Sequence, residues 1–270
     1  MELKDIVVES LSFPFYDVNK LLIFVIFVFV GNLFLILIFL NPTLYAQYEF
    51  QKMIVPYSDI LNLISIMSLV FVLGYGLSIF KNSINLYFDM PNFSLMKDFI
   101  NGLKHLAIIL FYFSIPMLLF FIVSIFTNHS VYNFNLTYHF GTESIINQTA
   151  DSVVLIIKPL IPNLFELIKI ISCGFILLIF GLIESVAAYR FVKYDELSEA
   201  FNLFSVFEDV YTLNLKLIRG FAILIVIISI MVFIFSIINK FYGGLIVTLF
   251  GYSYLIIVYF RFLGLLYSGA

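Results

Sequence analysis

The stretch LLIFVIFVFVGNLFLILIFL, residues 21–40, holds no charged side chain and only one polar one, Asn32. A bilayer core about 30 Å thick is crossed by about 20 apolar residues in a helix, so this run has the length and composition of a membrane span. The rest of the chain repeats the pattern. It is 63% hydrophobic and 11% charged, where soluble domains are about half apolar and about a quarter charged. Its charges come in clusters between apolar runs, so the solvent for those runs is lipid.

Scanning at that length predicts an all-α, polytopic integral membrane helical bundle in one domain, residues 1–270. The expected spans are 20–40, 60–80, 106–127, 165–188, 219–238 and 244–264. The residues before Leu21 carry Glu2, Asp5, Glu9 and Asp17 against Lys4 and Lys20. They lack the basic start and small-residue cleavage site of a signal peptide, so the first span is expected to be retained. Residues 153–162, with Pro159 and Pro162, are expected to be a short interfacial or re-entrant piece before the fourth span.

Lys and Arg stay on the cytoplasmic side. With the N-terminus inside, Lys4, Lys20, Lys81, Lys97, Lys104, Arg190, Lys193, Lys216, Arg219 and Arg261 are cytoplasmic, and only Lys52, Lys158, Lys169 and Lys240 fall outside. This bias predicts a plasma-membrane protein with both termini cytoplasmic. The polar loop 128–152 is then external, and its triplets at Asn128, Asn135 and Asn147 are candidate N-glycosylation sites. With no tryptophan in the chain, tyrosine is left to build the interfacial belt.

Both larger cytoplasmic connections show helical periodicity, which predicts amphipathic surface helices. In the first, Phe93, Met96, Phe99, Ile100, Leu103 and Leu106 oppose Lys97, Asp98, Asn101 and Lys104; in the second, Leu197, Ala200, Phe201 and Phe204 oppose Glu196, Glu199 and Asn202. Ser205-Val-Phe-Glu208 reads as a capping box that restarts a helix toward the fifth span. Residues 60–127 and 165–238 read as loose copies of one unit.

Several short motifs carry a resemblance: Gly74-Tyr75-Gly76, Met90-Pro-Asn-Phe93, Phe99-Ile-Asn-Gly102-Leu-Lys104, Phe111-Tyr-Phe-Ser-Ile-Pro116, Ala187-Ala188-Tyr189 and Leu249-Phe-Gly251-Tyr. With Tyr267, they resemble an archaeal family of multi-pass membrane proteins known as domain of unknown function 4013. The resemblance implies an archaeal plasma-membrane protein with no assigned activity and brings no catalytic residues.

Intramembrane polar groups are the place to look for chemistry, because each is costly in lipid without a partner. Glu184, in the inner part of the fourth span, is a proton or cation site on the functional reading. On the structural reading it pairs with Arg190 or Arg261. Asn32 is expected to make an interhelical hydrogen bond. Gly174, Gly181, Ser185 and Ala188 form a small-residue stripe, and Pro116 is expected to kink the third span.

His129 and His139 share the outer loop with Glu143 and Asp151 but lack tight metal-ligand spacing. His105 is expected to be interfacial. The single Cys173 excludes an internal disulfide. No nucleophile elbow or phosphate loop is present, so neither enzyme activity nor a cofactor is expected. The net charge of −3 gives no basic footprint for nucleic acid. The expected role is a non-catalytic membrane component binding lipids, other membrane proteins or a second copy of itself. The alternative is a small-solute or ion transporter or channel built on the suspected repeat.

Overall fold

The computed structural model describes residues 2–32, 58–126, 164–211, 215–238 and 244–268. Among these, all regular structure is helical. The elements in chain order are α1 (Leu3–Ser12), a 3₁₀ turn (Phe13–Phe15), α2 (Val18–Gly31), α3 (Ser58–Ile84), α4 (Leu95–Phe126), α5 (Leu164–Tyr194), α6 (Leu197–Phe201), α7 (Leu203–Tyr211), α8 (Leu215–Ile238) and α9 (Gly244–Tyr267). Four stretches are long and apolar enough to cross a membrane: Asp59–Ile84, Leu95–Leu118, Leu217–Phe235 and Ile246–Tyr267. Leu3–Phe15 and Val18–Gly31 pass the same test together, but they are bent by 82°.

Local chemistry explains the bend. Phe13-Pro14-Phe15 forms a 3₁₀ turn with Pro14 near its start, where the missing N–H costs nothing. Asp17 then caps α2, its side chain accepting from the Lys20 N–H at 3.1 Å. That hydrogen bond to a free helix-end amide holds the Asp17 carboxyl below its ordinary value of 3.8. The helix that opens the expected first span closes at Gly31 with Asn32 as its C-cap, and residues 33–57 fall outside the described ones.

The chain divides into two compact units, Met1–Ile109 with Ser185–Ala270, and Leu110–Glu184. Within the larger unit α3 packs against α2, α4 and α9. A Cβ on Gly74 would run into the Asp98 carbonyl, and one on Gly102 into the Val70 carbonyl. Only glycine at both positions lets the α3 and α4 backbones approach so closely. Gly264 of α9 meets Ser83 and Phe80 of α3 in the same way. Between α2 and α3, Phe27 stacks on Phe71 with ring centroids 4.0 Å apart, and Ser68 Oγ donates to the Phe27 carbonyl at 2.6 Å. In the smaller unit the described residues are helical segments of α4 and α5, with Pro116 inside α4.

The first expected surface helix is not a separate element. Residues 95–106 are the opening turns of α4, continuous with the third expected span. The inward face there is Asp98, Gly102, His105 and Ile108, while Leu95 and Met96 are 65% and 73% exposed. Asp98, Gly102 and His105 point inward and Leu95 and Met96 outward, with Lys97 exposed beside them; inward polar groups under outward apolar ones are what a helix shows when its solvent is lipid. This also corrects His105, which is buried with its ring edge-on to Phe260 at 5.8 Å. Between α5 and α8, by contrast, the connection does form two short helices, α6 and α7. The restart comes earlier than the expected capping box, because Asn202 Oδ1 accepts from the Ser205 N–H at 3.4 Å and makes Asn202 the cap.

Candidate functional site

Three polar centres stand out in the larger unit. The first surrounds Arg261, which lies near the end of the apolar helix α9 and is fully buried. One guanidinium nitrogen pairs with the Glu9 carboxylate of α1. The other donates to the Tyr87 carbonyl at 2.6 Å and to Ser83 Oγ at 3.2 Å. The Phe13 ring centroid lies 4.4 Å from the guanidinium carbon, within cation–π range. Tyr254 of α9 also donates to the Leu11 carbonyl at 2.6 Å, so α1 is fastened to α9 at two points. A buried arginine is tolerated only with its charge and donors met. Arg261 meets its charge and the donors of both terminal nitrogens by gathering α1, the end of α3, the turn after it and α9, while its Nε has no hydrogen-bond partner among the described residues.

Beside it, beneath the turn after α3, lies an open cleft of about 490 Å³, lined by Tyr16, Asp17, Lys20, Asn82, Tyr87 and Asp89 among others. Lys20 Nζ lies 3.3 Å from Asp17 and donates to the Met90 carbonyl at 2.6 Å. The turn begins at Leu86, whose φ of 59° is in the left-handed region, an uncommon conformation for a branched apolar residue. Its pinning by Arg261 and Lys20 holds it there.

The third centre is Arg190, at the last turns of α5. Its guanidinium donates to Asp209 at 2.7 Å, to the Glu199 carboxylate at 2.5 Å and to the Glu199 carbonyl at 3.3 Å. Burial works against its charge, but the hydrogen bonds to Asp209 and Glu199 outweigh it and raise its pKa above the ordinary value. Arg190 therefore ties α6 and α7 to α5. The opposite face of α7 is bare: Phe204 is 91%, Phe207 51% and Tyr211 91% exposed. Their spacing of three and four places them on one helical face.

Glu184 is buried in α5, and the two arginines expected as its partners hold carboxylates of their own, Glu199 and Asp209 for Arg190 and Glu9 for Arg261. Among the described residues Asn32 makes no side-chain hydrogen bond to another helix. Its side-chain amide donates to the Val28 carbonyl of its own helix at 2.8 Å, and Ser68 makes the bond across to α2 instead. Of the small-residue stripe, Ser185 bonds the Tyr267 hydroxyl at 3.0 Å. Asn128, Asn135 and Asn147, together with His129, His139, Glu143 and Asp151, lie outside the described residues. Among the described residues no group of three or more His, Cys, Asp or Glu side chains is placed to hold a metal ion.

Sequence reasoning missed the Arg261–Glu9 centre, although both halves of a signal were present: an arginine inside an apolar helix and an acidic stretch ahead of the first span. Helices of membrane length and buried charges compensated within the protein define a helical protein of the membrane class. The chain belongs to the family described as "Protein of unknown function (DUF4013)", whose model matches residues 60–240. No curated protein and no solved structure matches it.

Proposed function

We propose that this chain is a non-catalytic component of the plasma membrane that binds lipid through α7. The supporting observation is the bare aromatic face of Phe204, Phe207 and Tyr211 on a nine-residue helix. Helices that short are not stable alone in water, and each buried aromatic contributes about 1.5–3 kcal/mol when removed from water. Arg190 holds the other face of α7 to the protein through Asp209, which leaves the aromatic face for the headgroup and acyl boundary. Six crossings with both termini cytoplasmic accompany this reading. Four membrane-length helices, the bent α1–α2 pair and the 31-residue α5 support the count, and the distribution of Lys and Arg supports the direction.

Because the chain has no tryptophan, Phe204→Trp supplies a single indole. In vesicles its emission is expected to be blue-shifted and quenched by brominated acyl chains, while Glu196→Trp, from the exposed turn ahead of α6, is expected to emit as in water. Water-like, unquenched emission from Phe204→Trp refutes lipid binding by this helix.

A further inference from the structure

The cleft beside Arg261 has a charge inventory that selects a ligand. Asp17 is engaged by Lys20 and by the first turn of α2, and Lys20 is engaged by Asp17 and the Met90 carbonyl. Asp89 lines the same cleft, is exposed, and takes part in none of the ion pairs among the described residues. One negative charge is therefore left over. Tyr16 and Tyr87, both exposed, line the cleft with it, together with Asn82.

We propose that this cleft binds an organic ammonium group, with Asp89 as counter-ion and Tyr16 and Tyr87 as aromatic walls. A carboxylate beside phenol rings attracts a weakly hydrated ammonium through charge and ring quadrupole together. A volume of about 490 Å³ is of the size that holds a small organic molecule and far exceeds a bare metal ion. The cleft lies where α2 begins its apolar run at Leu21 and α3 ends at Ile84, so both a lipid amine headgroup and a soluble amine can reach it. Its turn is anchored from below: Tyr87 lines the cleft and gives its carbonyl to Arg261, which keeps the site preformed.

The site stands apart from α7, so either reading can fail alone. The test uses the full chain in detergent with Tyr87→Trp as its only indole, and again with Tyr16→Trp in case the first reporter disturbs the turn. Ethanolamine, dihexanoyl phosphatidylethanolamine and dihexanoyl phosphatidylglycerol are titrated in turn. The two amines are expected to give saturable fluorescence changes, weakened about tenfold or more by Asp89→Asn and unchanged by Asp5→Asn on α1. The glycerol headgroup is expected to give none. Tighter binding of the lipid than of free ethanolamine assigns the site to a headgroup, and equal binding assigns it to a soluble amine. No saturation by either amine with both reporters, an equal response to the glycerol lipid, or full binding by Asp89→Asn overturns the proposal.

Discussion

Removing Glu9 tests whether the buried Arg261 centre holds the larger unit together. In Glu9→Ala, Arg261 keeps Ser83, the Tyr87 carbonyl and the Phe13 ring but loses its carboxylate. The guanidinium is fully buried, and no other described carboxylate pairs with it. Breaking a buried pair from one side costs about 3–5 kcal/mol, because the remaining charge stays in a poor solvent. At about 2–4 °C per kcal/mol for chains somewhat shorter than this one, Tm is expected to fall by roughly 6 °C or more. The assay is thermal unfolding in detergent of the wild type, Glu9→Ala, Arg261→Met and the double variant. Arg261→Met alone is expected to cost less than Glu9→Ala, since Glu9 is nearer the surface of the unit, with 14% of its side chain exposed. The double variant is expected to recover much of the loss, because an apolar replacement of a buried pair is often close to neutral. The cycle should return a coupling of about 2 kcal/mol or more. A Glu9→Ala protein that melts with the wild type, or single effects that simply add, refutes the role assigned to this pair.

Asp17→Ala is expected to cost about 1 kcal/mol at neutral pH by removing the cap of α2. The Asp17 carboxyl is held below 3.8 in the fold, so its contribution is present above that value and lost as pH falls through the lowered one. Melting curves at pH 7 and near pH 3 should therefore show the gap between variant and wild type closing in acid; a constant gap contradicts a charge-assisted cap. Gly74→Val places side-chain atoms against the Asp98 carbonyl and is expected to cost about 1–3 kcal/mol or more by overpacking, whereas Gly74→Val with unchanged Tm shows that α3 and α4 do not meet there. For the six-span topology, single cysteines at Tyr132 and Asn202 in a Cys173→Ser background are expected to react with an impermeant reagent from opposite sides. Reaction from the same side removes that topology.

Apolar length and composition are local properties, which is why the sequence by itself determined that this is an all-helical chain of membrane character and located the helices that became α3, α4, α5, α8 and α9. Its charge clusters also located the turns. The inward and outward faces were another matter. The periodicity of residues 93–106 was legible, but whether Met96 or Asp98 faces the protein depends on what surrounds the helix, and in lipid the polar side turns inward. Asp17 before an apolar run was a readable cap, yet α1 and the bend ahead of it were not expected, because the stretch from Glu2 to Asp17 is too mixed to declare a face. Asn32 and Ser68 are both capable hydrogen-bonders, and only the approach of α3 to α2 decided that the serine bridges. Arg261 and Glu9 lie at opposite ends of the chain, and no local pattern pairs them. A charge buried in an apolar helix requires a partner, but which carboxylate arrives is set by how α1 folds back against α9, and that contact exists only once the helices have packed.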